Sequence, residues 1–195
     1  MPSCETVQLG HGSGGAMMKR LIDEVFLEAF DAPELHAGND AGVAVLPPTG
    51  RIALSTDTFV VTPHTFPGGD IGRLAVCGTV NDVATSGAHV RYLSCGFVIE
   101  EGFPLDDLRR ICKSMAEAAR EANVAIITGD TKVVERGCAD GIYLNTAGVG
   151  DVPEGVNLAS SACEPGDTVL VSGTLGDHGI AIMSVREASR SKRAS

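Results

Sequence analysis

Residues 55–88, STDTFVVTPHTFPGGDIGRLAVCGTVNDVATSGA, pass from strand to loop to helix within one reading. The strand begins at Arg51 and runs through RIALSTDTFVV (51–61), an apolar or small stretch that Asp57 interrupts. The loop is PHTFPGG (63–69), dense in Pro and Gly. A helix is predicted over 70–86: Ile71, Leu74, Ala75 and Gly78 share one side, and Asp70 precedes the apolar run as a cap. Its glycines and Ala84 are small enough for a second element to pack closely.

Upstream, GVAVL (42–46) reads as a strand, and Pro47-Pro48-Thr49-Gly50 turns it into the strand at 51–61, a hairpin signal. Residues 16–30 read as a helix: Met17, Leu21, Val25 and Ala29 repeat at four, and Ile22 and Phe26 widen the stripe. Asp31, Ala32 and Pro33 end it. Downstream, 91–99 alternates as a strand with Leu93, Cys95, Phe97 and Ile99 on one face. Residues 104–122 carry the clearest helix, opened by Pro104, with a stripe of Leu105, Leu108, Ile111, Cys112, Met115, Ala119 and Ala122. VAIIT (124–128) reads as a short buried strand ending before Asp130, and 141–149 as another strand. Residues 151–166 form a Gly/Pro/Ser-containing linker, TVLVS (168–172) a further strand, and GTLGDHGIAIMSV (173–185) the start of a helix.

Hairpins mixed with crossover helices define an α+β fold, a mixed β-sheet layered with helices. The expected organisation is a first domain over 1–150, a linker over 151–166, and the start of a truncated α/β domain over 167–195. The closing SRSKRAS is basic and uncapped, and the residues beyond the linker are too few to form a domain.

A net charge of −10 argues against a nucleic-acid partner, because phosphate backbones select clusters of Lys and Arg. No signal peptide opens the chain, and no run approaches the roughly 20 apolar residues of a membrane span. The six cysteines form no C-x-x-C pair, and Cys77, Cys95 and Cys112 fall within apolar patterns, as buried reduced thiols do. A cytoplasmic setting fits these features.

Four aspartates stand in small-residue surroundings: Asp40 in GNDAG, Asp57 in LSTDTFVV, Asp82 in TVNDVATSGA and Asp130 in ITGDTKVV. Each alone reads as a cap or turn residue. Together they are candidates to converge on Mg²⁺, which takes oxygen ligands and the phosphates it carries. HGSGG (11–15) allows backbone N–H groups to approach an anion just before a helix. Lys132 follows Gly129-Asp130-Thr131 and offers a point charge to a phosphate. No Walker motif, dinucleotide fingerprint, zinc spacing or nucleophile elbow occurs. Glu100-Glu101 reads as a solvated pair, and Asp177-His178 as a turn.

HGSGG, NDAGVAVLP, the stretch 55–88, YLSCGFVIEEGFP, ITGDTKVV, NTAGVG and GDTVLVSGTLGDHGIAIMSVRE together resemble the HypE-type [NiFe]-hydrogenase maturation proteins, from about Leu9 to about Glu187. These belong to the superfamily of aminoimidazole ribonucleotide (AIR) synthase and selenophosphate synthetase. The resemblance implies a PurM-like N-terminal domain whose sheets pair into a barrel across a homodimer, with Mg²⁺ and ATP in a cleft. It implies ATP-dependent dehydration of a C-terminal cysteine thiocarboxamide to a thiocyanate, which supplies cyanide to hydrogenase iron. The implied partners are a carbamoyltransferase and an iron-scaffold complex. By matching motifs, Asp40, Asp57, Asp82 and Asp130 carry over as metal candidates. Gly12, Ser13, Gly14, Gly15, Asn81, Thr131 and Lys132 carry over as nucleotide contacts, with Lys132 also the candidate catalytic charge.

The chain departs from the family in ending near residue 195 with no cysteine at its end, so cyanide synthesis by these residues alone is not expected. Two alternatives stand beside this reading. One is another ATP-dependent superfamily member, although a selenophosphate synthetase would want a cysteine and a nearby lysine at the glycine-rich turn. The other is a non-catalytic dimerisation and docking module.

Overall fold

The computed structural model describes residues 6–36, 47 and 50–193, with side chains through 187. The predicted strand at 42–46, Pro48 and Thr49 of its hairpin turn, and Asp40 lie outside the described residues. A single 3-10 turn, Leu9–Gly12, leads into α1 (Ala16–Leu21). The helix continues through a π-helical stretch, Ile22–Leu27, into α2 (Glu28–Phe30), so the predicted helix at 16–30 is continuous but widened in its middle. Leu21, Val25 and Phe26 are its buried side chains. A short α3 (Pro33–His36) comes next.

The strand around Asp57 is β1 (Ile52–Phe59). The predicted loop folds into a small hairpin, β2 (Thr65–Phe66) with β3 (Gly69–Asp70), turning through Gly68 at φ +91°. Asp70 caps α4 (Ile71–Ala84), its carboxylate accepting from the Arg73 N–H at 2.8 Å and from Ser114 Oγ at 2.9 Å. The buried stripe of α4 is Ile71, Gly72, Ala75, Val76, Thr79 and Val83. The predicted Leu74 is only half-buried.

β4 (His89–Glu100) buries Leu93, Cys95, Phe97 and Ile99, as the alternation predicts. α5 (Leu105–Glu121) buries the predicted stripe with Ala118 added, while Ala122 is exposed beyond the last turn. β5 runs Ala125–Val134 and β6 runs Ile142–Asp151. β5 is therefore twice the predicted length, and Asp130 lies mid-strand rather than past a strand end. Gly, Asp and Lys are weak strand formers, so propensity ends the strand at Thr128. Backbone pairing to β4 carries it on to Val134.

The sheet order is β1-β6-β4-β5, with only the β4–β5 pair parallel. β4, α5 and β5 form the single crossover unit of this sheet among the described residues. α4 and α5 cover one face and pack on each other at Gly72: an added Cβ there would come within 2.6 Å of the Ile111 carbonyl oxygen. Beneath α4, buried Thr146 donates to the Ala75 carbonyl at 2.9 Å and shares a 2.6 Å hydrogen bond with Thr79, which satisfies both hydroxyls. The opposite face of β1 carries Ile52 and Leu54, 63% and 73% exposed.

The predicted strand at 168–172 does not form. Residues 167–172 are irregular, and Val169 and Leu170 are 89% and 86% exposed. A strand holds only within a sheet, and no neighbour pairs with this segment among the described residues. The helix predicted after it is present as α6 (Asp177–Arg193).

At the far end of β6 the buried Asp151 side chain, 4% exposed, accepts from Arg91 Nε at 2.5 Å and lies 3.5 Å from His89 Nδ1. The Arg91 hydrogen bond holds its carboxyl below the usual range, against the opposing effect of burial. A lowered folded-state pKa stabilises above the unfolded value, about 3.9, and that stability is lost as pH falls through the folded value. The melting-temperature gap between wild type and Asp151→Asn is therefore expected to hold steady from pH 7 to about 5 and to close below about 4. A gap that stays fully open down to pH 2 would contradict the ion pair.

Candidate functional site

The glycine-rich turn is set by close backbone approach. A Cβ at Gly12 would come within 2.8 Å of the Val133 backbone nitrogen, so the turn lies directly against β5. Ser13 Oγ donates back to the Gly10 carbonyl at 2.9 Å, Gly14 takes φ +78°, and Gly15 is the N-cap of α1. The structure thus sets Gly12 against Val133, the residue after Lys132 on β5. Lys132 and Asp130 form an ion pair at 3.2 Å, both about two-thirds exposed. Thr131 is buried on the helix-covered face.

Asp57 and Asp82 form a second group. Ser55 Oγ donates to Asp82 Oδ2 at 3.2 Å, and a Cβ at Gly78, one turn before Asp82, would meet Asp57 Oδ2 at 3.7 Å. The small residue at 78 lets α4 lie close over β1 and sets both carboxylates at one seam. Asp57 Oδ1 accepts from the Thr58 N–H at 2.8 Å. Asn81 and Asp82 are exposed in the last turn of α4.

The two groups do not meet within one protomer. In register, Asp57, Thr146, Cys95 and Gly129 form one row, and Thr58, Asn145, Gly96 and Asp130 the next. Paired residues share a face, so Asp57 points to the helix-covered side and Asp130 to the uncovered side. Three strand spacings, about 14 Å, separate β1 from β5. The expected convergence of the aspartates is therefore corrected: among the described residues no three His, Cys, Asp or Glu side chains lie close enough to hold a metal ion. Spacing along the chain could not reveal this, because the face of each strand residue depends on register, and a bulge between Leu93 and Ser94 shifts the β4–β5 register by one.

Several other polar groups singled out in the sequence have structural partners. The Glu100 carboxylate accepts from the backbone N–H groups of Gly137 and Gly141, pinning the β5–β6 connection rather than standing in solvent. His11 Nδ1 accepts from the Gln8 N–H at 2.9 Å. Asp177 accepts from Thr174, and His178 meets Phe66 edge-on. Burial pushes the Cys95 and Cys112 thiols up, as suits inert core cysteines. Asn145, which sequence reasoning passed over, donates through Nδ2 to the Asp57 carbonyl at 3.0 Å and to Thr58 Oγ1 at 2.9 Å. It fastens the Asp57 strand from the opposite face.

Residues 38–152 match the family of AIR synthase related proteins, N-terminal domain. The chain belongs to that family, and the mixed sheet with α4 and α5 on one face is its N-terminal domain fold. At the level of individual relatives, it is 57% identical over 181 residues to the carbamoyl dehydratase HypE of Rhizobium leguminosarum bv. viciae, covering 93% of this chain and 51% of that one. A crystal structure of hydrogenase maturation protein HypE in complex with ATP superposes with a TM-score of 0.90 at 51% identity, over 94% of this chain and 54% of that chain. A HypE–HypF complex matches with a TM-score of 0.70 at 55% identity, over 89% of this chain and 54% of that chain. The chain spans about half the length of the curated relatives it matches. Among the described residues no helix is long and apolar enough to cross a membrane.

Proposed function

We propose that this chain is the nucleotide-binding half of an ATP-dependent carbamoyl dehydratase of [NiFe]-hydrogenase maturation. The observation that carries the reading is its likeness, at 51% identity over 94% of its length, to a HypE that holds ATP. In this reading residues 1–150 are the ATP-binding and dimerisation domain, 151–166 a linker and 167–195 the opening of a second domain. The setting is the cytoplasm, and the partners are a carbamoyltransferase and an iron-scaffold complex. Support for a partner within the maturation system is the HypE–HypF complex among the structural neighbours.

The chemistry is removal of water from a thiocarboxamide on a C-terminal cysteine. The amide oxygen attacks the γ-phosphorus of ATP and ADP leaves. The oxygen then departs with the phosphate, two N–H protons are lost, and the nitrile of a thiocyanate remains. A carboxamide oxygen is a poor leaving group and a phosphate is a good one. Lys132 sets a positive charge beside the transferring phosphoryl group, and N–H groups of the Gly12–Gly15 turn hold its oxygens. Asp57 and Asp82, with Asp40 and Asp130, are carboxylates of the kind that hold Mg²⁺ against phosphates. Bound Mg²⁺ would neutralise charge on the triphosphate.

One protomer carries the acidic group at β1 and the basic, glycine-rich group at β5, about 14 Å apart and across the sheet. We infer that a second copy joins them. In this reading the uncovered faces of two sheets pack into a barrel that buries Ile52 and Leu54, and the β1 edge of one protomer lies beside the β5 edge of the other. Titration calorimetry with Mg·ATP tests this. Asp57→Asn and Lys132→Ala are each expected to weaken binding by at least about tenfold. Mixed dimers of the two variants are expected to restore roughly a quarter of the wild-type sites, since half the dimers are mixed and each of these keeps one intact site. Restoration of none would mean the site is not shared between protomers. Absence of binding by the wild-type chain would leave a dimerisation and docking module.

A further inference from the structure

The N-terminal segment, the start of the first helix and α5 line an open cavity of about 320 Å³ that borders the glycine-rich turn at His11 but includes neither Lys132 nor any of the four aspartates. Its floor is apolar, formed by Leu21, Val25 and Leu105, all buried. Its walls carry Arg20, Arg109, His11 and Glu24. Arg20 makes no side-chain hydrogen bond or ion pair to any described residue. Arg109 has only a 3.6 Å contact with the exposed Asp106 among the described residues. His11 Nδ1 is an acceptor, filled by the Gln8 N–H at 2.9 Å, so its neutral ring carries hydrogen on Nε2. Two guanidinium groups and an imidazole N–H thus line one concave site against a single wall carboxylate. A chain of net charge −10 gives no general reason for such a cluster.

We propose that this cavity binds a tetrahedral oxyanion of the phosphate class. Arg20, Arg109 and His11 Nε2–H are the donors, and the apolar floor receives any organic group the phosphate carries. Free phosphate and a phosphate monoester share this chemistry, and the floor tells them apart. Occupancy would tie the segment before the glycine-rich turn to α1 and α5.

The test is calorimetry and thermal shift on the whole chain with inorganic phosphate and with phenyl phosphate, at constant ionic strength against chloride. Saturable binding is expected. Arg20→Gln and Arg109→Gln should each weaken it at least about tenfold, while Lys132→Ala leaves it unchanged. Tighter binding of phenyl phosphate assigns the site to a monoester, and equal binding assigns it to free phosphate. A response no greater than chloride overturns the proposal. So does binding lost in Lys132→Ala but kept in Arg20→Gln, because the phosphate then sits at the nucleotide site. Arg20 is exposed and without partners among the described residues, so its substitution tests the site with little effect on folding.

Discussion

Ile111→Ala is expected to lower stability by about 3–4 kcal/mol, within the range for emptying a core isoleucine. Ile111 is 1% exposed and faces α4 where the two helices touch. The contact is tight because position 72 has no side chain: a Cβ there would meet the Ile111 carbonyl at 2.6 Å and Met115 Cγ at 2.8 Å. Backbone held so closely has little freedom to collapse into the space left by the truncated side chain. Two to four degrees of melting temperature per kcal/mol is usual at this chain length, so a drop of about 10 °C is expected. A loss below 1 kcal/mol in denaturant titration would mean that the helix layer is not packed as described.

Gly129→Ala carries the second large effect, and it bears on both stability and binding. A Cβ at 129 would fall on the Cys95 carbonyl oxygen of the neighbouring strand, with backbone rather than a movable side chain in the way. β4 and β5 must separate to admit it, at a cost of about 2–3 kcal/mol. The same shift moves Asp130 and Lys132, the next residues along β5. Melting temperature and Mg·ATP affinity should therefore fall together. A variant of normal stability that binds ATP normally would show that the strands have slack here. The glycine of ITGDTK thus has a structural cause before any functional one.

Much of the fold was legible in the residues because local periodicity and long-range packing agree. Leu93, Cys95, Phe97 and Ile99 alternate and are all buried. The stripe from Leu105 to Ala119 keeps the helical repeat and lies on the sheet. Asp70 reads as a cap and is one. Where the two levels diverge, local pattern misleads. Val169 to Val171 look like a strand, but a strand takes its hydrogen bonds from neighbours that these residues do not have among those described. ITGDTKVV looks like a strand end, yet pairing to β4 overrides the weak propensities of Gly, Asp and Lys.

The sequence by itself determined the family and most of the elements, and it supplied the residues proposed to hold a phosphate and its counter-ion. Those properties are written in residue type and short-range spacing. Only the tertiary structure decided that Asp57 and Asp130 point to opposite faces of one sheet, and that Gly12 lies against β5 while Asp82 lies beside the Asp57 strand. Strand order and register set those neighbours, and both are settled by contacts between residues far apart in the chain, which no local pattern encodes.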